Sequence, residues 1–256
     1  MLGLQIWIST VFRIARQFLT SLCDALRIVT FPHDKGRSNY FYPRKHKHVV
    51  NRILFDLKFW RRFVQDTPRT SFDYLLDRLP RNDSRMYSDA SSLYGMGGVI
   101  IFGEPDKRMH GVEGVFWQLT WREWYAVTAM ASFQPGNVKI TLAEFLAALI
   151  TCETCAEYCS GKLTTLALDN TGARAWFESA RCPIYPLDRA AQGVGLLMLH
   201  REMKVTATLI ASEENSIADI CSRKTFFMKS KARTCMIAGA RLKKVPPKWL
   251  NVTRFL

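Results

Sequence analysis

Four acidic residues stand in surroundings that acids rarely occupy. Asp89 lies in Tyr87-Ser88-Asp89-Ala90-Ser91 ahead of a glycine-rich apolar run, and Glu144 lies inside an apolar helical run. Asp169 heads Asp169-Asn170 after a β-like stretch, and Asp219 falls within Asn215-Ser216-Ile217-Ala218-Asp219. A carboxylate in an apolar element is costly to bury unless something positive compensates it. A divalent metal fits that role, because hard cations take oxygen ligands and use carboxylates as anchors. Singly, each acid is ordinary: an Asp after a strand serves as a turn or cap residue, and Asp219 after an Asn215 cap suits a helix dipole. The chemistry depends on whether the four converge.

The elements that must bring them together are legible as changes of period. From Arg85 onward, Met86 to Ser88, Gly97 to Phe102 and Val115 to Trp121 are short β-like runs separated by turn residues, which predicts an antiparallel three-strand meander. A helix from about Thr141 to Cys159 follows, then a fourth strand over Leu163 to Leu168. A short helix over Ala173 to Ser179, a longer one over Leu187 to Met203, a fifth strand over Lys204 to Ala211 and a final helix complete the series. That order predicts an α/β domain, a mixed five-stranded sheet flanked by helices, with an N-terminal helical appendage. In the helix of Glu144, Leu142, Phe145, Leu146 and Leu149 form one apolar stripe, and Ala143, Ala147 and Ile150 form a second. Such a helix is usually buried, so Glu144 points into the structure or a cleft, with Ala148, Thr151 and Cys155 along its face; the alternative is a glutamate on the exposed end of the first turn.

Composition narrows the partners. With 256 residues, 48% of them hydrophobic and 12% aromatic, the chain is globular rather than disordered. A formal charge of +14 points to a polyanion, commonly nucleic acid. Seven cysteines form an odd set without regular spacing, which predicts reduced thiols and an intracellular protein of cytoplasm or nucleus. Cys152, Cys155 and Cys159 sit at helical spacing with no nearby partner to complete a tetrahedral metal set, and read as core thiols. The first twelve residues are apolar and lead into Arg13 and Arg16. They are too short to span a bilayer, which takes about 20 residues, and read as an amphipathic helix, with an organelle presequence as the alternative. A basic connection runs from Pro32 to His48, and a second helix carries Val49, Ile53, Leu54, Leu57, Trp60 and Phe63, with Arg61 and Arg62 on its solvated side. From Lys224 to Leu256 nine lysines and arginines occur without an acid, which predicts a flexible extension with salt-sensitive affinity for phosphates.

Order and context together carry a resemblance. Tyr87-Ser88-Asp89-Ala90-Ser91 followed by Gly95-Met96-Gly97-Gly98, then Leu142-Ala143-Glu144, then Leu168-Asp169-Asn170, and finally Glu214-Asn215-Ser216-Ile217-Ala218-Asp219-Ile220-Cys221-Ser222-Arg223 resemble the four motifs of the ribonuclease H domain of retroelement (LTR/DIRS-like) reverse transcriptases. The match covers about residues 84 to 223. Leu2-Gly3-Leu4, Arg16-Gln17-Phe18-Leu19 and Asp56-Leu57-Lys58-Phe59-Trp60 resemble, more loosely, the thumb and connection of the same elements. The organisation this implies is a helical thumb or connection-like region over 1–79, a ribonuclease H-like domain over 80–223 and a basic extension over 224–256.

The resemblance implies endonucleolytic hydrolysis of the RNA strand of RNA–DNA hybrids with two Mg²⁺ ions, or Mn²⁺ in their place. Asp89 and Asp169 would be the central ligands, with Glu144 and Asp219 completing the two sites. By the same analogy Glu144 helps orient a water near the ribose 2′-OH, the group that distinguishes RNA from DNA. Ser91, Asn170, Asn215 and Arg223 are the substrate-contact candidates, each with a cap, turn or surface role as its alternative. No adjacent Asp-Asp pair of the palm type occurs, so no polymerase activity is expected, and a polymerase domain in trans is a candidate partner. Ala211-Ser212-Glu213-Glu214 lacks the histidine that cellular members carry before the last acid. An exonuclease of similar fold would place an acid where Ser91 stands, and an integrase-type nuclease would place its glutamate last. The alternative from another class is a non-catalytic nucleic-acid-binding module or retroelement relic that keeps the fold without the activity.

Overall fold

Strand-forming runs dominate the middle of the chain, and in the computed structural model they assemble into one mixed sheet. The structure describes residues 22–23, 47–66, 74, 78–103, 113–128, 138–179, 182, 185–223, 240–246 and 249. The chain divides into two compact units, Met1–Leu76 and Asp77–Leu256. In the first unit helix α1 (Lys47–Asp66) corresponds to the second expected helix and buries Val49, Asp56 and Trp60 while exposing Leu54 and Leu57. The helix expected over residues 1 to about 30 falls outside the described residues except at 22–23, and Arg44 to His46 of the basic cluster fall outside them too.

In the second unit β1 (Arg81–Ala90), β2 (Gly95–Ile101) and β3 (Gly114–Thr120) form the antiparallel meander. Helix α2 (Trp121–Thr128) follows directly, so Trp121 opens a helix instead of ending the third strand. The long apolar helix is α3 (Ile140–Thr154), separated at Cys155 from a single turn, α4 (Ala156–Cys159). Next come β4 (Leu163–Leu168), α5 (Thr171–Ser179), α6 (Tyr185–His200), β5 (Lys204–Leu209) and α7 (Ser216–Ser222). β4 pairs with β1 in parallel, and β5 with β4 likewise.

Among the described residues the sheet has six strands where five were expected, in the order β5-β4-β1-β2-β3-β6. The sixth, β6 (Ala240–Leu242), lies parallel to β3 and comes from the stretch read as a flexible extension. It is held there by more than main-chain pairing: Lys243 Nζ donates to Glu157 at 2.6 Å and lies over the Tyr158 ring. Trp249 is fully buried, its indole N–H donating to Glu153 Oε2 at 2.7 Å. A three-residue edge strand in which only Ala240 is partly covered is too short to show an apolar alternation. Trp249 was the visible signal in that stretch.

Alternation along the central strands sorts side chains onto two faces. Met86, Met96, Ile100, Trp117 and Trp121 join α3, α6 and Trp249 in the main core. Val99, Ile101 and Phe116 pack with Ile220 and Cys221 of α7 on the other. The glycines of the 95–98 run permit this close double packing. A Cβ on Gly98 would lie 2.7 Å from Trp117 Nε1 and would also strike Thr151 of α3. Thr151 takes the Trp117 indole N–H at 3.0 Å and donates its own hydroxyl to Ala147 O at 2.8 Å. α3 is thus held close against the strand that neighbours Asp89.

Candidate metal centre

Parallel pairing sets two of the acids level. The β1–β4 register matches Tyr87 with Ala167, so two residues further on Asp89 and Asp169 leave the carboxyl ends of adjacent strands side by side. Glu144 arrives from above, in the second turn of α3. Because α3 is buried from Leu142 through Cys152, the side chain is only 3% exposed and meets solvent through the cleft it lines. One carboxylate oxygen from each of Asp89, Glu144 and Asp169 lies within 4.8 Å of the others.

Each acid is tethered by a donor on one oxygen. Glu144 Oε1 accepts the Ala90 backbone N–H at 3.1 Å. Asp89 Oδ2 accepts the Ser222 hydroxyl, and Asp169 Oδ2 accepts the Ser212 hydroxyl at 2.9 Å. The second oxygen of Glu144, Oε2, is buried without a hydrogen-bond donor. A lone pair left so in a native interior costs about 1–3 kcal/mol, more when charged.

The electrostatics follow from this crowding. Burial raises the Asp89 carboxyl to about 6, opposed by the Ser222 hydrogen bond and reinforced by the charges of Asp169 and Asp219. Glu144 is pushed up to about 10, by burial first and then by Asp89 and Asp169. Two carboxylates about 4 Å apart repel by roughly 4 kcal/mol at an effective dielectric of 20, so without a cation the cluster keeps protons at neutral pH. The donor set fits a hard divalent ion: it offers oxygens only, it gains negative charge as its protons leave, and one oxygen from each of three acids converges within 4.8 Å.

Asp219 stands apart from the converging three. It lines the same cleft, and its carboxylate forms an ion pair with Arg223 one turn on in the chain. The cleft has a volume of about 660 Å³ and reaches from the acids to the exposed residues Leu93, Tyr94 and Ile140. Ser91, Asn170 and Arg223 line it. Asn170 is also the cap of α5, its Oδ1 accepting the Ala173 N–H at 2.9 Å. Asn215 is buried and does not line the cleft, and its Nδ2 donates to Ser88 O at 3.0 Å. That bond ties the start of α7 to the strand of Asp89. Sequence reasoning also missed Ser212 and Ser222, whose hydroxyls carry no distinguishing pattern. Cys152, Cys155 and Cys159 are buried free thiols, and burial raises all three above the ordinary thiol range.

Among the described residues no helix is long and apolar enough to cross a membrane. No protein-family model, no curated protein and no solved structure matches this chain.

Proposed function

We propose that the chain is a metal-dependent endonuclease of the ribonuclease H type, hydrolysing the RNA strand of RNA–DNA hybrids as part of a retroelement reverse transcriptase. The observation that carries the reading is the convergence of one carboxylate oxygen each from Asp89, Glu144 and Asp169 at the end of one cleft, with Glu144 buried. The order of the acids supports it further: strand, helix, strand end and last helix, with the glutamate second. Asp89 and Asp169 would anchor the cations, Glu144 would bridge toward the water beside the ribose 2′-OH, and Asp219 would complete the set from the cleft wall. Two such ions supply activation of water and stabilisation of the leaving 3′ oxygen in an in-line displacement. Arg223 holds positive charge at the cleft rim, where a phosphodiester would enter. The basic residues elsewhere in the chain would grip the backbone without reading sequence.

The test is cleavage of a labelled RNA–DNA hybrid with Mg²⁺ or Mn²⁺, comparing the native chain with Asp89→Asn and Asp169→Asn. Metal-dependent cuts in the RNA strand that both substitutions abolish are expected. Salt-sensitive binding with no metal-dependent cleavage would instead favour a non-catalytic nucleic-acid-binding module. Cleavage that survives both substitutions would place the activity elsewhere.

A further inference from the structure

Two hydroxyls belong to the centre although neither is a plausible ligand. Ser222 is 2% exposed and its Oγ lies between Asp89 Oδ2 and the Asp219 carbonyl oxygen, the latter at 3.1 Å. Of these two acceptors the ionised carboxylate is the stronger. Ser212 is exposed, at the start of the 3-10 turn Ser212–Asn215, and reaches Asp169 Oδ2 at 2.9 Å. The two serines bracket one segment, which Asn215 fixes to the carbonyl of Ser88. A single neutral donor on a carboxylate stops it rotating without competing for its charge, whereas a lysine or arginine would repel the cation. Partners of this kind commonly orient ligands around bound metals.

We propose that Ser212 and Ser222 are positioning residues that hold Asp169 and Asp89 in the orientation needed to share a divalent cation. This rests on the metal-centre reading of Asp89, Glu144 and Asp169. The buried member, Ser222, has the greater effect, because water cannot replace its donor. At Ser212 water can take the vacated site.

The test reads Mn²⁺ binding to the full chain by calorimetry, without nucleic acid, beside hybrid cleavage as a function of Mg²⁺ concentration. Ser222→Ala is expected to weaken Mn²⁺ uptake about tenfold and to raise the Mg²⁺ needed for half-maximal cleavage in parallel, leaving the KM for hybrid unchanged. Ser212→Ala is expected to weaken uptake roughly twofold to threefold. Ser222→Thr, which keeps the hydroxyl, should restore most of the affinity, a rescue that a purely packing role would not produce. Uptake within twofold of native in both alanine variants overturns the proposal. If Ser222→Ala does not fold, the exposed Ser212→Ala decides it, and an unchanged Mn²⁺ affinity there overturns the proposal equally. Native chain that binds Mn²⁺ but leaves hybrid intact counts against the hydrolase reading alone. Native chain that binds no Mn²⁺ overturns both.

Discussion

Gly97 lies against Cys221 so closely that a Cβ on it would come within 2.6 Å of both the carbonyl carbon and the Cβ of that residue. Gly97 is also the cross-strand partner of Asp89. The missing side chain therefore lets α7, which carries Ser222 and Asp219, sit directly over the strand pair that carries the central acid. Gly97→Ala should push α7 outward. We expect a loss of about 1–3 kcal/mol of stability, read by urea unfolding, together with weaker Mn²⁺ uptake because Ser222 retreats from Asp89.

Cation binding should depend on pH with a definite sign. Asp89 and Glu144 hold their protons up to about 6 and about 10 in the metal-free protein, and a bound cation requires them ionised. Affinity for Mg²⁺ should rise as pH rises from 6 toward 9, with protons released on binding. Calorimetric titration in two buffers of different ionisation enthalpy measures that release, and zero release at pH 7 would contradict the assignment.

Glu144→Gln should separate stability from activity. Folding raises the Glu144 carboxyl above its ordinary 4.5 to about 10, so the native state binds the proton more tightly than the unfolded chain. That contribution is complete below pH 4.5 and is lost progressively as pH rises toward 10. A glutamine does not titrate. Without divalent cations, Glu144→Gln should match the native chain near pH 4 and be increasingly the more stable of the two from pH 6 to 9, as followed by thermal melts, while losing hybrid cleavage.

Trp249 should prove as important to the fold as any residue of the central strands. It is fully buried in the main core and its N–H is satisfied by Glu153 of α3. Trp249→Ala should cost about 3–5 kcal/mol, measured by urea unfolding. A chain cut before Ala240 should lose at least as much, since it forfeits the β6 pairing as well.

The legible parts of this molecule were those where burial imposes a period or an exception. Glu144 stood out because an acid in an all-round apolar helix contradicts its surroundings, and Leu163–Leu168 stood out as a short apolar run whose second half, Leu166 to Leu168, is buried. The illegible parts are those where a short segment acts through position alone. β6 has no apolar alternation because it is three residues long and largely exposed. Ser212 and Ser222 look like any turn or cap serine until the fold sets Asp169 and Asp89 beside them. The place of Asn215 was open for a related reason, since its amide suits a substrate or a backbone carbonyl equally, and only the fold shows it buried and bonded to Ser88 O.

β6 and Trp249 also bear on how the molecule comes to exist. All the converging acids and both serines precede residue 223, so they leave the ribosome before the last strand and the last core tryptophan do. A nascent chain holding only those residues has its site residues but an uncovered sheet edge at β3 and a gap beside Glu153. Such an edge is a template for pairing with another chain. The β3 edge and the space beside Glu153 are therefore closed by residues that follow the centre in sequence.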